Sequence, residues 1–345
     1  MNEQRVLICG FGFMGEMHAQ AYRAIPLARV VGFVDLELEA ARQKGLKLGF
    51  QVPFYRELEE GIDDSRPDIV DICLPTDLHA KAAVAAFARG KHVFCEKPVA
   101  LTEGNAKQML RARDGAGTFC QVGQCIRFWP EYQAFERFVR KGEAGRLRSL
   151  TLQRRAGRPV TSSANWMADP ARSSGAALDL HIHDTDYLLH LFGAPPAVFS
   201  RGTLDAGGWS HISTHYLYPD IVAYAEGGWD YPPTWGFRMA FQAVFERGAV
   251  EYDSGASPTL RVTLDGRAPE ALPFVAAGGT AQTTGNVSSL GGYANELEYF
   301  IGRVAAGRAP EVATLEQATQ SLVVTLAEME SASRGAAVAI RGGTP

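Results

Sequence analysis

No run of this chain approaches the ~18 consecutive apolar residues that a membrane-crossing helix requires. Cysteine is scarce. Cys9, Cys73, Cys95, Cys120 and Cys125 are odd in number and lack C-x-x-C spacing, which argues against a disulfide framework or a zinc site. Most of them lie in apolar, strand-like runs that suit buried, reduced thiols. Neither sign of charge dominates: 34 Lys and Arg face 38 Asp and Glu, a net charge of −4. That balance disfavours non-specific binding to nucleic acid or anionic membrane. The one basic spot, Arg154, Arg155 and Arg158, reads as a solvated strand face. No leader is legible, because the first apolar stretch is only Val6 to Cys9 and no twin arginine precedes it; a cytoplasmic protein is expected. Internal repeats are absent too. What remains is an ordinary globular composition, 46% hydrophobic and 21% charged, in 345 residues, too long for one compact core and enough for two domains.

What the chain does contain is a glycine turn near its start. Gly10, Gly12 and Gly15 sit between an apolar run (Arg5 to Cys9) and a helical stretch (Met14 to Ala24). In such a strand–turn–helix the first glycine permits the turn and the second lets a pyrophosphate approach the backbone. The third lets helix and strand pack closely, and the helix N-terminus receives the phosphates. A second strand, Arg29 to Val34, ends at Asp35, twenty residues after Gly15, where a carboxylate can bind the adenosine ribose diol. The same carboxylate would repel a 2′-phosphate, and no arginine follows until Arg42, so NAD is the expected cofactor, with NADP possible if Arg42 swings in.

Through the first third, strands and helices alternate: helix Glu37 to Leu48, strands Val52 to Tyr55 and Asp68 to Leu74, helix Ala80 to Arg89, strand His92 to Cys95, helix Thr102 to Arg113, strand Phe119 to Val122. Repeated β-α units predict a parallel sheet covered on both faces, with ligands beyond the carboxyl ends of its strands. Pro75-Thr76-Asp77-Leu78-His79 and Glu96-Lys97-Pro98 stand at two of those ends. From Gly123 the rhythm changes to helix Glu131 to Lys141, strand Leu147 to Arg155, helix Gly175 to Phe192, and then consecutive strands from Val198 to Leu264. This predicts a second, mostly antiparallel mixed sheet, closed by helices Glu296 to Ala306 and Leu315 to Arg334. Residues 276–292 read as a loop. The expected boundary divides residues 1–123 from 124–345.

The helix after Gly175 carries the candidate chemistry. Asp179, His183, Asp186 and His190 share one face at helical spacing, and Asp179 can orient the His183 imidazole and raise its basicity. Oxidising an alcohol needs a base for the hydroxyl proton, and imidazole, with an unperturbed pKa of ~6.5, suits. His181 points about 160° away from His183, so the two cannot share an ion, and His211 and His215 stand ~13 Å apart on a strand. No metal is assigned. Lys97 sits where the sheet delivers its ligand, and an ammonium there would stabilise a developing alkoxide. Its bond to Pro98 can be cis.

With Gly10-Phe11-Gly12-Phe13-Met14-Gly15, Glu96-Lys97-Pro98 and Asp179-x-x-x-His183 in place, the chain resembles the Gfo/Idh/MocA family of sugar and inositol oxidoreductases. Gln121-Val122-Gly123, Arg127-Phe128, Trp166 and Asn295-Glu296-Leu297 extend the resemblance end to end. It implies a Rossmann domain, then an α/β domain whose open sheet commonly forms dimers or tetramers. It also implies catalytic roles for Lys97, Asp179 and His183, with Thr76 and His79 beside the nicotinamide ribose. The expected cofactor set is Gly10, Gly12, Phe13, Met14, Gly15, Asp35, Leu74, Thr76, His79, Glu96 and Lys97. Lys97, Arg127, Trp166, Asp179 and His183 are expected at the substrate, with Tyr231 or Trp235 as further candidates. Many members carry glycine two residues after the Asp; here it is His181. The implied activity is NAD-dependent oxidation of a secondary hydroxyl on a sugar, inositol or polyol. The alternatives are an NAD-retaining glycosidase acting by transient oxidation, or a non-catalytic NAD-binding sensor.

Overall fold

The computed structural model describes residues 2–159, 163–275 and 291–340. Two compact units emerge. Among the described residues, the first takes in 2–124 and 291–319, and the second 125–275 and 320–340.

The first unit is a parallel sheet of β1 (Gln4–Cys9), β2 (Ala28–Val34), β3 (Phe54–Tyr55), β4 (Ile69–Ile72), β5 (His92–Cys95) and β6 (Cys120–Val122). Its spatial order is β3-β2-β1-β4-β5-β6, with every pairing parallel. The order reverses between β1 and β4, which places the ligand crevice of a doubly wound sheet at their carboxyl ends. Helices α1 (Phe13–Tyr22), α2 (Leu38–Lys47), α3 (Leu58–Ser65), α4 (Thr76–Ala88) and α5 (Glu103–Ala116) connect the strands. The strands read as near-continuous apolar runs because both sheet faces are covered.

Two local departures from the sequence reading matter. Helix α3 was not expected; its acid-rich text with Gly61 in mid-helix hides the period, yet Leu58, Gly61, Ile62 and Ser65 form a buried stripe. Helix α4 begins at Thr76 rather than Ala80. Pro75 occupies its N-cap and Asp77 its first turn, so Thr76 to His79 are helical rather than loop.

The second unit opens with a 3₁₀ turn (Cys125–Phe128) and α6 (Pro130–Lys141), followed by β7 (Leu147–Gly157) and the short α7 (Pro170–Ser173). A π-helical turn (Ala177–His181) then runs directly into α8 (Ile182–Phe192). The sheet adds β8 (Ala197–Asp205), β9 (Gly208–Tyr216), β10 (Val222–Tyr231), β11 (Arg238–Phe245), β12 (Gly248–Asp253), β13 (Leu260–Leu264), β14 (Glu270–Ala271) and β15 (Val338–Ala339). Its order is β14-β13-β12-β11-β7-β10-β9-β8-β15, antiparallel everywhere except where β10 meets β7. One face is buried. Leu150, Leu152 and Phe241 lie on it, with Tyr132 and Phe135 of α6 packed against Phe241 and Tyr132 against Tyr187 of α8. The alternate residues Thr151, Gln153 and Arg155 are only half-buried.

The chain then crosses back. Helix α9 (Gly291–Ala305) buries Leu297, Phe300 and Ile301 in the first unit's core, with Phe300 5.8 Å from Phe94. Helix α10 (Leu315–Arg334) starts in the first unit and continues in the second. The single boundary expected at residue 123 is therefore supplemented by a returning segment, because the apolar face of α9 completes the first core. Of the loop read over 276–292, residues 276–290 lie outside the described residues, and Gly291 and Gly292 open α9.

Candidate functional site

The three glycines of the first turn have three different reasons to be glycine. Gly10 has φ +93°, and a Cβ there would stand 2.5 Å from the Cys73 carbonyl oxygen. Gly15 lets α1 rest on the turn; its Cβ would lie 2.0 Å from the Gly10 oxygen. Gly12 is the exception. Nothing stands within 4 Å of its Cβ position, and its φ of −74° suits any residue. The protein's own packing does not require a glycine there, whereas a group laid against the backbone would. Gly12 is also the N-cap of α1, and no side chain caps that terminus. Its first N–H groups can therefore receive an anion. Phe13 is 45% exposed at the same helix end, the kind of apolar surface that a cofactor covers.

Asp35, just past β2, is held in place rather than loosely exposed. Its Oδ2 accepts the Phe11 amide (2.8 Å) and its Oδ1 the Glu37 amide (2.9 Å). These bonds fix the carboxylate beside the glycine turn, where further lone pairs can accept a diol. Lys44 donates to the Phe11 carbonyl oxygen (2.8 Å), while Arg42, the residue read as able to favour NADP, is exposed on α2. The open turn, the uncapped helix and the pinned carboxylate fit a dinucleotide.

Along the same sheet edge lie Leu74, half-buried, and Thr76, buried at the start of α4. Two expected cofactor residues turn inward instead. His79 has Nε2 2.8 Å from the Leu74 oxygen and Nδ1 2.8 Å from the Pro98 oxygen, so both ring nitrogens face backbone carbonyls. Burial pushes its pKa below the usual imidazole value. Glu96 is 4% exposed; Oε1 lies 3.1 Å from His18 Nε2, and Oε2 accepts the Lys97 amide at 3.1 Å. Each of these two side chains is enclosed by backbone and core groups of the first unit. Lys97 is half-buried, and its bond to Pro98 is cis.

Sequence reasoning missed His18 and Asp71. His18 Nδ1 lies 2.9 Å from Asp71 Oδ2, and both side chains are fully buried. The signals existed. His18 falls on the apolar stripe of α1 with Met14 and Met17, and Asp71 interrupts the apolar run of β4.

In the second unit the polar residues around α8 do not form one functional seam. The π-helical turn inserts extra residues per turn ahead of α8, so simple 3.6-residue spacing does not extend back to Asp179, while His183, Asp186 and His190 lie within α8 itself. Asp186 is buried and takes Arg127 in a two-point ion pair (Nε 2.7 Å, Nη2 2.7 Å), with Ser321 Oγ also donating to it. Arg127, expected at the substrate, thus ties the 3₁₀ turn to α8. His190 Nε2 lies 3.2 Å from Glu136 Oε2 on α6. Arg154 is no solvated strand residue: it is 1% exposed and donates to Asp184 (2.8 Å). Its Cβ lies on the covered face of β7, whereas Arg155 points the other way. His181 fills the space that the usual glycine would leave. It stands against Gly227, whose Cβ would be 2.8 Å from His181 Cβ, and its Nε2 lies 3.0 Å from Glu328 Oε2. Asp179 stays half-buried and His183 is 6% exposed. Trp166 is half-buried. Trp235 lines a groove of about 290 Å³ with Gln153, Arg155 and Arg238 on the sheet's other face, so neither it nor its neighbour Tyr231 joins the α8 residues.

Comparison with known proteins agrees with this geometry. Residues 4–124 match the model of the GFO/IDH/MocA oxidoreductase family, NAD-binding Rossmann fold, and residues 132–263 match the GFO/IDH/MocA C-terminal domain. Levoglucosan dehydrogenase of Pseudarthrobacter phenanthrenivorans is 32% identical over 62% of this chain and 59% of its own length. The matched stretch therefore spans under two thirds of that relative. Inositol 2-dehydrogenase of Rhizobium meliloti is 27% identical over 87% of this chain and 88% of its own. A solved structure of levoglucosan dehydrogenase with NADH and levoglucosan superposes with a TM-score of 0.86 at 22% identity, covering 99% of this chain and 100% of that one; it shows the shared fold.

Proposed function

Because the chain belongs to the Gfo/Idh/MocA family of oxidoreductases, we propose that it is an NAD-dependent dehydrogenase that reversibly oxidises a secondary hydroxyl of a sugar, an inositol or a related polyol. The observation that carries this reading is the carboxyl edge of the first sheet. An open, uncapped glycine turn lies there beside a pinned Asp35, and β5 delivers Lys97 at the same edge. The relatives named for levoglucosan and inositol support the substrate class.

Gly12 and the amides that follow it would hold the pyrophosphate, and Asp35 the adenosine ribose. Bound NAD supplies the hydride acceptor. Lys97 polarises the substrate oxygen, His183 takes the hydroxyl proton, and Asp179 orients the imidazole. Trp166 offers an apolar face to the sugar. Arg127 supports α8 through its ion pair with Asp186.

The test is a panel of polyols, inositols, anhydrosugars and sugar acids with NAD and with NADP, followed by absorbance of the reduced cofactor. Reduction of NAD by at least one class is expected. Release of an aglycone from a glycoside without net NADH would replace the reading with a retaining glycosidase, and cofactor binding with no turnover would leave a sensor. Asp35→Ser is expected to raise the Kd for NADH about 10- to 100-fold, the worth of charge-assisted hydrogen bonds, and to narrow the preference over NADPH. Fluorescence titration with both cofactors checks it. We also propose that the open face of the second sheet, where Val222 and Val244 are exposed, assembles this chain into dimers or tetramers. A monomeric mass in sedimentation velocity would contradict that.

A further inference from the structure

The peptide Glu96-Lys97-Pro98 is gripped from beneath by two buried histidines. On one side His79 stands 2.8 Å from the Pro98 oxygen. On the other, the Glu96 carboxylate bridges the His18 ring and the Lys97 main-chain amide. Its seat leaves no room for anything larger at Gly123, where a Cβ would lie 2.8 Å from Glu96 Oε1. His18 in turn is fastened to Asp71 in the middle of β4. A continuous chain of short contacts thus runs from the centre of the sheet to the backbone of Lys97.

We propose that the buried His18, held between Asp71 and Glu96, is a positioning residue for Lys97: it fixes the Glu96 carboxylate and, through that, the main-chain amide of Lys97. The proposal rests on the reading that Lys97 acts on the substrate oxygen. Its physical basis is a count of protons. Both ring nitrogens of His18 face carboxylate oxygens, at 2.9 and 3.1 Å. A neutral imidazole has one N–H and would turn a lone pair toward one of the carboxylates; the imidazolium hydrogen-bonds Asp71 through Nδ1 and sets its second N–H in an ion-pair contact with Glu96 whose geometry is not that of a hydrogen bond.

The surroundings favour that form. Burial opposes the charge, but Asp71 and Cys73 outweigh it and hold the imidazole well above its ordinary pKa. The titratable groups around His18 are Asp71 and Cys73 at the end of β4, Glu96 after β5 and Glu296 on α9, with Tyr22, one turn along α1, beside Asp71. Three of these five are carboxylates and none is a cation. The sign follows: with its folded pKa raised, His18 contributes fully below about pH 6.5, and the contribution is lost as pH rises through the folded value. A neutral glutamine at position 18 or 96 would loosen the Lys97 peptide without touching the glycine turn.

The experiment uses the full chain with His18→Gln and the isosteric Glu96→Gln, so that one variant survives if the other fails to fold. Expected for each folded variant are a kcat lowered about 10- to 100-fold and an NADH Kd within about threefold of the unaltered protein. A purely structural role would lower thermal stability and leave kcat per folded molecule unchanged; that result would overturn the proposal. In parallel, ¹⁵N spectra of the histidine rings at pH 7.5 are expected to show His18 protonated at both nitrogens, and a singly protonated ring would also sink it. Metal analysis covers the rival use of His18, Glu96 and Glu296, whose ligand atoms lie within 4.8 Å of one another. One equivalent of zinc retained by the unaltered protein and lost in Glu96→Gln would replace the direct bridge. If no substrate is turned over at all, the dehydrogenase reading has failed, while the ring spectra still report on the bridge.

Discussion

His183→Ala is expected to fold, to bind NADH as tightly as the unaltered protein, and to lose about 10²- to 10⁴-fold in kcat, the usual worth of a positioned base. Lys97→Ala should fall by a comparable factor, because an ammonium beside a developing alkoxide acts on the same proton transfer. Lys97 is half-buried and His183 is 6% exposed, but the core around α8 is built on Tyr187, Leu188 and Ile182, so the fold is expected to survive both substitutions. If the two groups act on one hydroxyl, the double variant should lose far less than the product of the single losses. Steady-state kinetics on the best substrate of the panel, with NADH affinity measured separately, decides it. Near-normal turnover in both single variants would refute the assignment.

The second large effect separates two glycines three residues apart. Gly15→Ala should destabilise the first unit by about 3 kcal/mol or more, since its methyl would meet the Gly10 carbonyl oxygen at 2.0 Å and the helix must move off the strand. Gly12→Ala should change stability by no more than about 1 kcal/mol, the scale of an N-cap exchange, because its methyl enters open space. Yet Gly12→Ala is the variant expected to lose NADH, by about 100-fold, because that space is where the pyrophosphate must approach the backbone. Urea unfolding and fluorescence titration of the two proteins give opposite orders. Equal NADH affinity in Gly12→Ala and the unaltered chain would show that the cofactor does not lie on this turn.

The glycine pair also marks where sequence reading worked. A turn, a close approach and an uncapped helix are local events, so Gly10, Gly12, Gly15 and Asp35 were legible from spacing alone, as was the parallel order of alternating strands and helices. What was not legible shares a different character. His79 and Glu96 stand at the sheet edge where a ligand is expected, but their side chains turn back toward backbone groups brought near by other strands. Arg154 reads as surface charge in one dimension, Arg127 as a substrate residue and Asp186 as part of a polar helix face, yet Arg127–Asp186 and Arg154–Asp184 prove to be buried pairs formed across 59 and 30 residues. The π-helical turn before α8 has no periodic signature, so the regular spacing that holds for His183, Asp186 and His190 within α8 does not extend to Asp179.

By itself, then, the sequence determined the chemistry available and the local frame that presents it: a glycine turn between strand and helix, an acid at the end of the second strand, a lysine at a strand end, and a helix rich in histidine and aspartate. Those features depend on backbone conformation within a dozen residues. The tertiary structure alone decided which polar side chains face outward and which are consumed as internal struts. It also decided that α9 returns to complete the first core and that His18 and Asp71 stand beneath Lys97. A buried charge is stable only when a partner of opposite sign reaches it, and that partner comes from whichever distant segment the fold brings alongside.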